Sequence, residues 1–124
     1  MWVLAQVALG GAVGASLRYL ANLSIQRIAG HGFPWHTLFV NVAGSAIMGG
    51  LMVALAHKGG LRFAPFLMTG VLGGFTTFSA FSMDAILLWE RGQIGAAALY
   101  IGGSVLLSLV AFAGAALILR GLLT

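Results

Sequence analysis

Apolar runs long enough to cross a bilayer follow one another from Trp2 to Leu119, divided only by short breaks that carry glycine, proline or charge. A spanning helix needs about 20 predominantly apolar residues, because it rises about 1.5 Å per residue through a hydrocarbon layer about 30 Å thick. A chain of 124 residues then has room for about four spans and little else. Charge points to the same solvent. Asp, Glu, Lys and Arg make up 6% of the chain, against roughly 25% in a typical soluble domain. A water-facing surface cannot be built from so few charges, so most of the outside faces lipid.

The breaks set the expected element ends. The first helix runs from about Trp2 to about Ile28, and the segment Ala29 to Pro34 ends it with two glycines and a proline. The second runs from about Trp35 to about Ala56 and stops at His57-Lys58-Gly59-Gly60. The third begins near Leu61 and reaches about Trp89, where Glu90 to Gln93 makes a turn. The fourth fills about Ile94 to Leu119, with Arg120 at its polar end. No Lys or Arg precedes the first apolar run, so that segment is read as a retained span rather than a secretory signal. The expectation is an all-α integral membrane protein of four transmembrane helices, with residues 1–124 forming one transmembrane domain.

The formal net charge of +4 comes from single, scattered residues: Arg18, Arg27, Lys58, Arg62, Arg91 and Arg120 against Asp84 and Glu90. A nucleic-acid surface needs a basic patch or stripe, which is not present here. Without cysteine there is no disulfide, thiolate metal site or thiol nucleophile. Four spans would place Lys58, Arg62 and Arg120 on one side and Arg27 and Arg91 on the other. That bias is too weak to fix one orientation by the positive-inside rule. Insertion both ways is one explanation, and it would let two copies pair antiparallel, with the inverted symmetry that larger transporters carry within one chain.

Small residues recur every four positions: Gly10 and Gly14, Ser45 and Gly49, Gly70 and Gly74, Ser104 and Ser108. In lipid, helices associate through close backbone approach, which small residues permit. The third span adds a denser signal, Gly70 to Ser82, in which glycines and hydroxyls crowd near mid-span. Glycine weakens a helix, and neighbouring Ser and Thr can satisfy the backbone groups that a break releases. Freed carbonyls at such a break can hold a cation. A tightly packed, unbroken helix is the competing reading. Phe75, Phe78 and Phe81 follow at three-residue spacing, which would line one side of that helix. A phenyl ring has a positive edge that can face an anion, although packing also explains such a stripe.

Polar positions on other spans complete the candidate site. On the second helix Thr37, Asn41, Gly44, Ser45 and Met48 step by three and four along one face. Asn41 lies well inside a span and needs a partner or water; helix-to-helix bonding is the alternative role. On the fourth, Tyr100, Ser104 and Ser108 stack at four-residue spacing as a line of hydroxyls. Arg18 sits well inside the first span, where it either draws anions into a vestibule or anchors structure. His31, His36 and His57 fall at helix ends without the spacing of a helical metal site. Asp84 is read as a partner for an arginine or for the polar network, and no nucleophile, base and acid share a depth that would make an enzyme.

These segments together resemble the Fluc family of fluoride channels, also called CrcB-type proteins. The resemblance covers nearly the whole chain and rests on Gly10 to Tyr19, Pro34 to Gly44 and, most specifically, Gly73-Gly-Phe-Thr-Thr-Phe-Ser-Ala-Phe81. It implies an antiparallel, dual-topology homodimer in the cell inner membrane, with two pores that pass fluoride out of the cell to relieve its toxicity. It also implies a broken third helix and a structural sodium ion at the dimer centre, held by the backbone carbonyls of Gly73 and Thr76. The resemblance matches the pore phenylalanines to Phe78 and Phe81, the pore asparagine to Asn41, the polar track to Tyr100, Ser104 and Ser108, and the first-helix arginine to Arg18; Thr37 joins the same face. Ala80 stands where many members have a hydroxyl residue, and Asp84 where a glutamate is common. The runner-up class is a small proton-coupled multidrug exporter, which needs a carboxylate within the membrane, typically in the first helix; this first helix has none.

Overall fold

In the computed structural model, which describes residues 1–123, every regular element is helical. Helix α1 spans Trp2–Ala29 and α2 spans Trp35–Lys58. A single 3₁₀ turn, Leu61–Phe63, then leads into a π-helical stretch, Pro65–Leu72, that continues into the short α3, Gly73–Phe75. Helix α4, Phe78–Glu90, completes the third span, and α5, Ile94–Leu123, follows. Four helical stretches are long and apolar enough to cross a membrane: Trp2–Ala29, Trp35–Lys58, Leu61–Glu90 and Ile94–Leu123.

The helix ends follow from backbone chemistry. Gly30 takes φ 80° after α1 and Gly59 takes φ 80° after α2, conformations that cost a side chain and suit glycine. Pro65 opens the π-helical stretch, where its missing N–H would have lacked an intrahelical partner anyway. Between α3 and α4 the backbone leaves the helix altogether. Thr76 (φ −88°, ψ 159°) and Thr77 (φ −152°, ψ 123°) are extended. Phe75 therefore lies on a different helix from Phe78 and Phe81, and the expected three-ring stripe along one helix does not form.

Packing divides between two faces of the third span. On one face, α1 crosses it glycine to glycine. A Cβ on Gly10 would strike the Phe66 carbonyl oxygen, one on Gly14 the Val71 carbonyl oxygen, and one on Gly74 would fall 2.8 Å from the Gly11 oxygen. Gln6, almost fully buried, accepts a hydrogen bond from the Phe66 N–H at 3.3 Å through its Oε1 and fixes the start of the π-helical stretch. On the other face α2 packs closely along α5, with Gly49 against the Phe112 backbone. The outer faces carry Leu106, Leu109, Val110, Leu117 and Ile118, all exposed, as a lipid-facing surface requires.

Candidate functional site

The two extended threonines organise the site. The Asn41 side chain, on α2, bonds both the N–H and the carbonyl of Thr77. Its Nδ2 donates to the Thr77 carbonyl oxygen at 3.0 Å, and its Oδ1 accepts from the Thr77 N–H at 2.8 Å. Thr77 also serves as the N-cap of α4, its Oγ1 accepting from the Ala80 N–H at 3.2 Å. Thr76 folds back instead: its N–H and its hydroxyl both donate to the Leu72 carbonyl oxygen, at 3.0 and 2.9 Å.

In a continuous α-helix the N–H of Thr77 would bond the carbonyl of Gly73, and that of Ala80 the carbonyl of Thr76. Both donors go elsewhere here, to Asn41 Oδ1 and to Thr77 Oγ1. The neighbouring carbonyls are occupied: Leu72 by Thr76, Thr77 by Asn41, and Gly74 by Arg18, whose Nε donates to it at 3.0 Å. Arg18 thus bonds the backbone beside the interruption. Gly44 accommodates this crossing, since a Cβ there would strike the Thr76 methyl.

Beside the interruption lies a cavity of about 320 Å³. Asn41, Gly44, Ser45 and Met48 line it from α2, Thr76, Thr77, Phe78 and Phe81 from the third span, and Ser104, Val105, Ser108 and Phe112 from α5. Six of the sites read from sequence thus share one space: Asn41, Thr76, Phe78, Phe81, Ser104 and Ser108. The Phe78 and Phe81 rings sit 5.5 Å apart and tilted by 45°. Ser104 is 5% exposed, and its hydroxyl has no protein partner. A buried hydroxyl without a partner is costly unless something else in the cavity meets it.

Thr37 and Tyr100 do not line this cavity. Each is almost fully buried, and both donate to one oxygen of Asp84, Oδ2, at 2.8 Å from Thr37 and 3.1 Å from Tyr100. No arginine bonds Asp84 among the described residues; its partners are hydroxyls. The two groups of residues are joined by a contact between rings. Phe81 lies 5.2 Å from Tyr100, and Phe33, from the α1–α2 connection, meets Tyr100 edge-on at 5.6 Å. A smaller hollow beyond Asp84 is bordered by His31, His36 and Arg91.

Sequence reasoning did not single out Thr77, Val105 or Phe112, nor assign Asp84 its two hydroxyls. Phe112 was within reach, since it continues the four-residue step of Ser104 and Ser108. Thr77 carried no such signal, because its importance lies in its backbone.

Comparison with known proteins identifies the family of the chain. Residues 5–116 match the family described as CrcB-like protein, Camphor Resistance (CrcB). A protein of Cereibacter sphaeroides named fluoride-specific ion channel FluC is 61% identical over 118 residues, covering 95% of this chain and 94% of its own. Proteins of the same name from Ruegeria sp. (57% over 119 residues; 95% and 94% covered) and Paracoccus denitrificans (55% over 117 residues; 94% of each) are also similar. With a family match over most of its length and relatives this close, the chain belongs to the CrcB-like family.

Proposed function

We propose that this chain is a fluoride-specific ion channel, working as an antiparallel pair of copies in the cell inner membrane. Each pair has two pores and carries fluoride passively outward. The observation that carries this reading is the cavity beside Thr76 and Thr77, where hydroxyls, an amide and ring edges share one space in a helical membrane bundle. Fluoride is small and strongly hydrated, so a selective path must replace its water at each step, weakly enough to release it. Ser104 and Ser108 supply O–H donors. Asn41 spends one N–H on Thr77 and has a second to give. Phe78 and Phe81 supply positive ring edges. Thr37 and Tyr100 extend the path beyond the cavity, by turning hydroxyls from Asp84 toward the ion. The relatives' shared name supports the same choice of ion.

Exposure supports a second copy. Phe78 is 78% exposed in the single chain, next to extended backbone. Non-helical backbone at membrane depth is tolerated only where protein or an aqueous path covers it, and one chain leaves this face bare. Insertion in both orientations would bring two such faces together. The carbonyls of Gly73 and Thr76, whose helical donors are diverted, fit a monovalent cation: they are neutral oxygens in a setting without acidic side chains. These two residues would hold a structural sodium ion, which would add fixed positive charge near the anion path.

Nothing in the fold favours the multidrug exporter, since α1 contains no carboxylate to couple protons. The test is a growth assay. Bacteria stripped of their own fluoride export and expressing this chain should grow in fluoride concentrations that stop empty-vector cells. Equal sensitivity despite normal membrane expression would overturn the proposal.

A further inference from the structure

The cation site and the anion path share one side chain. In the hydrogen-bond pattern at the interruption, Asn41 Oδ1 holds the Thr77 N–H, the donor that would otherwise close onto the Gly73 carbonyl. Asn41 Nδ2 holds the Thr77 carbonyl oxygen as well, so the peptide groups on both sides of the Thr77 Cα are clamped in their extended setting. Remove that amide and nothing on α2 competes for the Thr77 N–H. The backbone is then free to turn back into the helix, and Gly73 regains its donor. At the same time Asn41 lines the cavity with Ser104 and Ser108.

We propose that Asn41 is a positioning residue for the central cation site, as well as a lining residue of the fluoride path. The inference rests on the channel reading above and deepens it. A carbonyl whose helical donor is diverted can offer both lone pairs to an ion, and Asn41 diverts that donor from Gly73. The amide's two halves divide the work. Its oxygen keeps the Gly73 carbonyl free, while its NH₂ group braces the peptide and faces the cavity. A purely pore-lining asparagine would affect fluoride and leave the cation alone.

The experiment measures thermal unfolding of the purified full chain across a sodium series, with N-methylglucamine replacing sodium, alongside fluoride efflux from liposomes. Wild-type protein should gain stability with sodium. Asn41→Leu should need about tenfold more sodium for the same gain, the equivalent of one lost backbone carbonyl ligand to a competing hydrogen bond. Asn41→Asp keeps the acceptor oxygen for the Thr77 N–H and loses the donor to the Thr77 carbonyl. Its sodium midpoint should shift less than that of Asn41→Leu, while fluoride efflux is lost. Should Asn41→Leu fail to fold, Asn41→Gln displaces the same amide by one methylene and should show the same sodium shift. An unchanged sodium midpoint in Asn41→Leu or Asn41→Gln, beside a responsive wild type, would overturn the inference alone. A wild type indifferent to sodium would remove the cation site and the inference together, even with fluoride efflux intact.

Discussion

On the α1 side of the third span, Gly10 meets Gly70, Gly14 meets the Val71 backbone and Gly74 meets Gly11, so closely that no side chain fits between the backbones. On the α2 and α5 side, Gly44, Ser45, Ser104 and Ser108 surround a cavity of about 320 Å³ instead. Both faces are built from small residues at four-residue spacing, and the spacing alone does not distinguish them. The difference lies in what stands opposite. Glycine facing glycine lets two helices close completely. Glycine and serine facing an extended, clamped backbone leave room, because Thr76 and Thr77 carry the chain away from helical packing.

The contrast predicts its largest effect on the closed face. Gly14→Val would push a side chain into the Val71 carbonyl, on backbone that cannot move aside. Overpacking of this kind typically costs about 1–3 kcal/mol, and unyielding backbone sets the cost at the upper end, so the yield of folded protein should fall sharply; a monodisperse, wild-type elution profile would break the account of that interface. On the open face the effect should fall on transport. Phe78→Ile and Phe81→Ile keep roughly the ring volume and lose the positive edge. Each should lower fluoride efflux about tenfold, the scale of one aromatic interaction, while gel filtration still shows the wild-type assembly.

These two faces also mark how far the sequence could be read. All four spans lie close to their expected bounds, because hydropathy and glycine punctuation are local properties written in the residues themselves. The residues lining the cavity were legible by period: Asn41, Gly44 and Ser45 on one helix, Ser104 and Ser108 on another. Depth was not. Thr37 shares the face of Asn41 but lies four residues, about 6 Å, farther along the helix, and bonds Asp84 instead of facing the cavity. Tyr100 stands in the same relation to Ser104. Nor could the π-helical stretch be foreseen, since it depends on α1 pressing glycines against Phe66, Gly70 and Val71. Arg18 illustrates the remainder. Its sequence position left two roles open, and no sequence signal pointed to the Gly74 carbonyl, which its Nε bonds at 3.0 Å.

Smaller effects sharpen the comparison. Ser104→Ala removes a buried hydroxyl without a protein partner. It should lower fluoride efflux about threefold and leave thermal stability unchanged or slightly higher, since no protein hydrogen bond is lost; a marked loss of stability would assign Ser104 to packing. The smallest change belongs to Gly11→Ala, one residue from Gly10, where an added Cβ meets nothing within 4 Å. That variant should unfold within about 1 kcal/mol of wild type, on the stable side if anything, because alanine favours the helix. A loss as large as that of Gly14→Val would mean that the dry face extends farther around α1 than this chain shows.

The most direct measurement is ion efflux from liposomes that contain only this purified protein, comparing fluoride with chloride. The account predicts rapid release of fluoride and retention of chloride, because hydroxyls, an amide and ring edges at close quarters suit the smaller ion. Chloride leaving as fast as fluoride, or fluoride held back as in protein-free vesicles, would contradict it.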